Sequence, residues 1–267
     1  PQVDWFAGAK CNITVNALDR HANGARADKT AFIWVSEDSA DKAEERRITY
    51  RELHARVCQC ANALKKLGIG QGDRVTLYMA LTPELPIAML ACARIGAIHS
   101  VVYAGFSAPA LRSRIEDSKS KAVICSDLGW RRAKRIDLKG VVDEAVQGLD
   151  AVEKIVVFRR DPNTTLDAER EVDFNEILDA ESTACDAVPV DSNAPLYFLY
   201  TSGTTGKPKG VVHIHGGYAV GISYTHKICF DLQDDDVYWC VADPGWVTGH
   251  SYAVYGPLIN GATTLIA

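Results

Sequence analysis

The feature that most limits what this chain can fold into is an alternation. Short, continuous apolar runs are separated by longer segments whose apolar residues recur at helical spacing. Residues 31–35, 74–79, 100–103, 121–125 and 154–158 are the runs of a first series, and 196–200, 237–241 and 263–267 those of a second. A strand that is apolar on both faces must be covered on both, and helices between such strands supply the crossovers of a parallel sheet. The expected fold is therefore α/β: two doubly wound, mostly parallel sheets with helices on both faces, the second truncated at the C-terminus.

Local signals sharpen this reading. Thr49-Tyr50-Arg51-Glu52 is a capping box, in which the Thr hydroxyl and the Glu carboxylate satisfy backbone donors reciprocally. The helix it opens places Leu53, Val57, Ala61, Leu64 and Leu67 on one face, and Gly68 stands where a helix-ending residue belongs. Further helices are expected over 85–95, after Ser107 with Pro109 in the first turn and Leu111 and Ile115 facing inward, over 216–228 and over 250–258. Residues 159–194 are polar and acidic, with few apolar periods, and read as a connection. The expected organisation is an N-terminal extension packed on the core (1–29), a first α/β subdomain (30–158), a connecting segment (159–194) and the start of a second subdomain (195–267). No fixed-period repeat is visible.

Composition excludes several classes. Hydrophobic residues make up 47% and charged residues 24%, ordinary for a globular protein and wrong for disorder, collagen or coiled coil. The balance of 29 basic against 34 acidic side chains, a net charge of −5, speaks against a nucleic-acid partner, so any bound anion must be gripped locally. The eight cysteines show no Cys-x-x-Cys pair and read as reduced thiols in a cytoplasmic protein. The apolar stretch 85–106 carries Arg94 near its middle and is split by Gly96 and His99, so no membrane partner is expected. The start shows no basic-then-apolar leader, and the chain stops inside a β-branched run, which reads as part of a longer protein.

The chemistry is concentrated in Tyr200-Thr201-Ser202-Gly203-Thr204-Thr205-Gly206-Lys207-Pro208-Lys209-Gly210. Glycines permit tight turns, hydroxyls donate hydrogen bonds and two lysines add positive charge, all directly after a buried strand. Donors and cations on a loop at the carboxyl end of a parallel strand suit a polyphosphate. The loop is not a Walker A sequence: two residues, not four, separate Gly203 from Gly206, and Pro208 follows Lys207. Pro208 and Gly210 also keep the loop from running straight into a helix.

This loop resembles the signature phosphate loop of the adenylate-forming (AMP-binding) superfamily. The segments Trp5-Phe6-Ala7-Gly8, Asn16-Ala17-Leu18-Asp19-Arg20-His21, 98–107, and Tyr238 through Tyr252 with Gly245-Trp246-Val247-Thr248-Gly249-His250-Ser251-Tyr252 resemble the acetyl-CoA synthetases within it. The likeness covers essentially the whole chain. It implies an acetate–CoA ligase (AMP-forming) that joins ATP and acetate into an acyl-adenylate, releases pyrophosphate, then transfers the acyl group to coenzyme A. It further implies phosphate contacts from Thr201, Ser202, Gly203, Thr204, Thr205, Gly206, Lys207 and Lys209, and an acyl pocket from Trp246, Val247 and Thr248. Coenzyme A contacts are implied for Arg131, Arg132, Ala133 and Lys134, with Thr248 near the incoming thiol. Arg132-Ala133 stands where glycines are frequent. The family's adenine motif, Mg2+-binding Glu and catalytic Lys lie further along than Ala267, so a chain ending there is expected to be inactive alone. Propionate or another short acid, and a non-catalytic nucleotide-binding module, are the rival readings.

Weaker features have plain explanations. His213, His215, His226 and His250 lack neighbouring ligands at metal spacing and read as packed or hydrogen-bonded side chains. Cys58 and Cys60 read as core filling, Ser251 lacks a nucleophile-elbow sequence, and Asp234-Asp235-Asp236 reads as a solvated turn.

Overall fold

The computed structural model describes residues 6–37, 44–201 and 208–267. After a short strand at Lys10–Cys11 and helical turns over Val15–Asp19 and Arg20–Ala22 come, in chain order, β1 (Thr30–Val35), β2 (Glu45–Thr49), α1 (Tyr50–Lys66), β3 (Arg74–Tyr78), α2 (Glu84–Arg94), β4 (Ile98–Val101), α3 (Ala108–Ser118) and β5 (Ala122–Ser126). A hairpin of β6 (Leu128–Arg131) and β7 (Lys134–Asp137) leads into α4 (Leu138–Val146) and β8 (Lys154–Phe158). Then follow β9 (Glu171–Asp173), α5 (Phe174–Asp179), β10 (Pro195–Thr201), β11 (Lys209–Ile214), α6 (His215–Phe230), β12 (Val237–Trp239), a helical segment over 247–260 with a π-helical middle, and β13 (Thr263–Ile266).

The fold is mixed α/β with mostly parallel sheets. A seven-stranded sheet has the order β9-β8-β5-β3-β4-β10-β11, parallel throughout except for β11. Its strands alternate their contributions because successive side chains point to opposite faces. Val75, Leu77, Ile124 and Val156 meet Leu53, Leu64, Leu85 and Leu90 of α1 and α2 on one face. Tyr78, Val123, Cys125 and Val157 meet Leu111, Ile115, Val142 and Val146 of α3 and α4 on the other.

Helix α1 shows how directly local chemistry acts. Thr49 accepts from the Glu52 amide while the Glu52 carboxylate accepts from the Thr49 amide, as expected of the capping box. Leu53, Val57, Ala61 and Leu64 are buried, and Gly68 takes a left-handed φ of +80°. Truncating one of these buried leucines to Ala costs about 2–5 kcal/mol. Cys58 and Cys60 are buried on the same helix, and all eight cysteines are free thiols. Arg94, the charge inside the long apolar stretch, is buried with its guanidinium 2.9 Å from the Asp19 carboxylate. Among the described residues no helix is long and apolar enough to cross a membrane.

The strands are not distributed as the expected segmentation has it. β1, from the first series, pairs in parallel with β13, from the second, in a four-stranded sheet of order β12-β13-β1-β2. β10, from the second series, lies beside β4 in the large sheet. An apolar run announces that a strand is buried on both sides but carries no information about which strands flank it. The connection at 159–194 also contributes β9 and α5, with Phe174 and Leu178 buried. Lys209–Ile214, unassigned in the sequence, forms the antiparallel edge strand β11.

Candidate functional site

All parallel strands of the large sheet end on one edge, and three of them end around a cleft. β3 is the first strand of the sheet and has β4 on one side and β5 on the other, so the chain reverses direction there. A crevice at such a reversal, outside the carboxyl ends, is where open α/β sheets bind ligands. Here the segments after β3 (Met79–Thr82), after β4 (Tyr103–Gly105) and after β5 (Gly129–Arg131) line a cleft of about 420 Å³, together with Trp34, Arg160 and Asp243.

Two guanidinium groups lie over aromatic rings on this cleft. Arg131 sits over Tyr103 at 5.5 Å, and Arg160 over Trp130 at 4.4 Å. Each such contact is worth about 0.5–2 kcal/mol and fixes the plane of the guanidinium against the ring. Arg131 was expected from the sequence. Arg160 was not, because it lies at the start of the segment read as a connection.

The rest of the basic run divides. Arg132 and Ala133 form the hairpin tip with left-handed φ values of 52° and 58°, the conformation that glycine adopts without strain. The Arg132 amide donates to the Glu37 carboxylate at 2.6 Å. Lys134 is exposed, and Arg135 turns to Asp161 at 3.0 Å.

The segment expected to form the acyl pocket adjoins the cleft. A Cβ on Gly245 would stand 2.9 Å from the Tyr103 amide nitrogen, and one on Gly249 would stand 2.2 Å from the Asp243 carbonyl oxygen, so the turn closes only with glycine at both places. The Gly245 amide donates to the Asp243 carboxylate at 2.6 Å and the Trp246 amide to the Asp243 carbonyl at 3.0 Å. Burial pushes the Asp243 carboxyl up, and the Gly245 amide works against that shift. His250 Nδ1 lies 2.8 Å from the Pro244 carbonyl oxygen and His250 Nε2 lies 3.0 Å from His99 Nε2. Burial holds both imidazoles below their usual range, His250 down to about 3. Trp246, Val247 and Thr248 are exposed on the outer side of this pinned turn. Trp246 meets Phe106 edge-on at 6.4 Å.

β10 and β11 form a hairpin whose register pairs Thr201 with Lys209 and Tyr200 with Gly210. Both Thr201 and Lys209 are exposed at its mouth, at the same sheet edge as the cleft. Ser202, Gly203, Thr204, Thr205, Gly206 and Lys207 lie outside the described residues. Tyr200, at the base, donates to the Asp117 carboxylate at 2.7 Å.

The remaining candidates are engaged locally. His213 stacks on Tyr197 at 4.5 Å, His215 Nδ1 accepts from the Ile13 amide at 3.3 Å, and His226 packs against Tyr238 at 4.9 Å. Ser251 is buried and accepts from the Tyr218 hydroxyl at 3.0 Å. Asp234 pairs with Arg26 at 2.6 Å. Among the described residues no group of three or more His, Cys, Asp or Glu side chains could hold a metal ion.

Comparison with known proteins gives consistent matches. The family described as AMP-binding enzyme matches residues 18–267. An acetyl-coenzyme A synthetase of Methylobacterium radiotolerans is 52% identical over 267 residues, 99% of this chain and 41% of that protein. One from Deinococcus radiodurans is 50% identical over 268 residues, 100% of this chain and 41% of that protein. The solved structure of an acetoacetyl-CoA synthetase from Streptomyces lividans superposes with a TM-score of 0.90 at 27% identity, covering 100% of this chain and 40% of that one. The chain thus spans about 40% of the length of the relatives it matches.

Proposed function

We propose a function from one premise: this chain belongs to the AMP-binding enzyme family. The protein of which it forms a part activates a short carboxylic acid, acetate above others, with ATP and passes it to coenzyme A. In the first step a carboxylate oxygen attacks the α-phosphorus, the bond to the bridging oxygen breaks, and pyrophosphate leaves. In the second the thiol of coenzyme A attacks the acyl carbon, loses its proton, and AMP leaves.

The observation that carries this reading is convergence. Thr201 and Lys209 at the foot of the hairpin, the 246–248 segment and the cleft with Arg131 come from different stretches of sequence, and the described parts of each lie toward the carboxyl edge of one sheet. Attack of one anion on another is opposed by charge. Thr201, Ser202, Gly203, Thr204, Thr205, Gly206, Lys207 and Lys209 would offset that repulsion and stabilise charge on departing pyrophosphate. Trp246 and Val247 would wall the acyl group, with Thr248 beside its carbonyl. Arg131 and Lys134 would hold phosphates of coenzyme A, and the left-handed backbone at Arg132 and Ala133 keeps the glycine-like turn that shapes this contact. Mg2+ accompanying ATP finds no ligand cluster among the described residues, and none of the chemistry assigned to them passes through a metal. The free thiols suit a cytoplasmic location.

Acid-dependent exchange of labelled pyrophosphate into ATP by the full-length protein tests the proposal. Exchange greatest with acetate supports it. A longer acid preferred would move the assignment to a larger substrate, a reading the likeness to an acetoacetyl-CoA synthetase favours; one methylene is worth only about 1–3 kcal/mol of discrimination. No exchange with any acid would leave a nucleotide-binding module.

A further inference from the structure

Arg114 on α3 holds a position that neither the sequence nor the proposed chemistry explains. Its guanidinium lies 4.5 Å from the Phe106 ring centre and 5.5 Å from that of Tyr200. Among the described residues it makes no ion pair, and its hydrogen bond goes to the Ala110 carbonyl at 2.7 Å. The neighbouring acid, Asp117, is taken by the Tyr200 hydroxyl. Burial lowers the pKa of Arg114, with Tyr200 acting in the opposite sense, so the cation is held in partly dry surroundings by rings rather than by an opposite charge.

Each ring leads to a different part of the site. Tyr200 is bonded in sequence to Thr201, the foot of the phosphate hairpin. Phe106 is edge-on to Trp246, the first residue of the acyl segment, at 6.4 Å and 70°. A planar guanidinium can lie against two rings at once, which a compact, strongly hydrated ammonium does poorly.

We infer that Arg114 is a positioning residue that sets the separation between the acyl segment and the phosphate hairpin, aligning the acid's carboxylate with the α-phosphorus. This rests on the proposed function. Alignment of that kind matters when the acyl-adenylate forms and not when the thiol later displaces AMP, because the pyrophosphate has then gone. Misplacement by about 1 Å costs roughly 100-fold in rate.

The test uses the full-length protein and separates the two steps. Arg114→Lys and Arg114→Gln should each lower kcat for acetate-dependent ATP–pyrophosphate exchange by about 10–100-fold. Thioester formation from supplied acetyl-adenylate and coenzyme A should change by less than about threefold on the same argument. Tyr200→Leu, which leaves Arg114 in place and removes one ring, should reproduce the split and serves where an Arg114 variant fails to fold. Equal loss in both steps, or unchanged exchange, would overturn the inference. Absence of exchange in the wild type would instead overturn the functional reading on which it stands.

Discussion

His99 and His250 share one proton across a gap of 3.0 Å between their Nε2 atoms. The Pro244 carbonyl can only accept, so His250 Nδ1 carries a proton and donates to it. A neutral His250 must then accept at Nε2, and His99 must donate. Strand β4 is thereby tied through two imidazoles to the turn that presents Trp246 and Val247. Replacing His250 by Ala leaves the Pro244 carbonyl without its donor, leaves His99 Nε2 only the Tyr255 hydroxyl at 3.4 Å, and opens a cavity. The variant should lose about 3–5 kcal/mol of stability, measured by denaturant unfolding. A loss below about 1 kcal/mol would contradict the assigned bonding.

The same burial predicts an acid limb of stability. His215 and His226 are held down to about 4 and His250 to about 3, each by burial. Unfolded, each returns to about 6.5. Between these values the unfolded chain binds more protons than the folded one, so stability is full above pH 6.5 and falls as pH drops toward 4. Each group contributes about 1.4 kcal/mol per pH unit. His54 acts oppositely: its hydrogen bond to Asp19 raises it to about 9, so its contribution is full below about 6.5 and is lost as pH rises through 9. Denaturation midpoints across pH 4.5–9.5 should therefore peak near 6.5–7, and a flat profile below 6.5 would count against neutral buried imidazoles.

Ala133 offers a gain of stability. Its φ of 58° lies where a side chain crowds the backbone, at a cost of about 1–2 kcal/mol. Ala133→Gly removes that strain and adds about 0.4–1 kcal/mol of unfolded-chain entropy, for a net stabilisation of up to about 1.6 kcal/mol. Thermal unfolding should show a rise of a few degrees; a fall would mean the turn relaxes without glycine.

These outcomes rest on features that sequence exposes unequally. The capping box of α1 and the strand at 154–158 were legible because caps and apolar runs are local. The partnership of Thr30–Val35 with Thr263–Ile266 was not, because pairing is decided by which surfaces remain to be covered once the chain has collapsed. Lys209–Ile214 hides as a strand behind Lys209, Gly210 and His213 and is fixed by hydrogen bonding to β10. In the candidate site, the glycine- and hydroxyl-rich loop after Tyr200 stood out by composition and resemblance, and Trp246–Thr248 by resemblance. Arg160, Arg114 and His99 did not: each acts through a ring or nitrogen supplied from a distant segment.

Under the proposed function Arg131 would distinguish the two half-reactions in the opposite sense to Arg114. Arg131 lies over Tyr103 on the cleft, and under the proposed function it would meet a phosphate of coenzyme A. Loss of one charged hydrogen bond is worth about 1.5–3 kcal/mol, so Arg131→Ala should raise KM for coenzyme A by about 10–100-fold. ATP–pyrophosphate exchange should be unchanged. Equal impairment of both would place Arg131 in the nucleotide site instead.

The central claim is that the hairpin loop between Thr201 and Lys209 receives the triphosphate. A structure of the full-length protein with ATP bound tests it most directly. The β- and γ-phosphate oxygens should lie within about 3 Å of hydroxyl and amide donors between Thr201 and Lys209, with the α-phosphorus toward Trp246. Phosphates found instead in the cleft beside Arg131 and Arg160, with the hairpin loop free of nucleotide, would contradict the account.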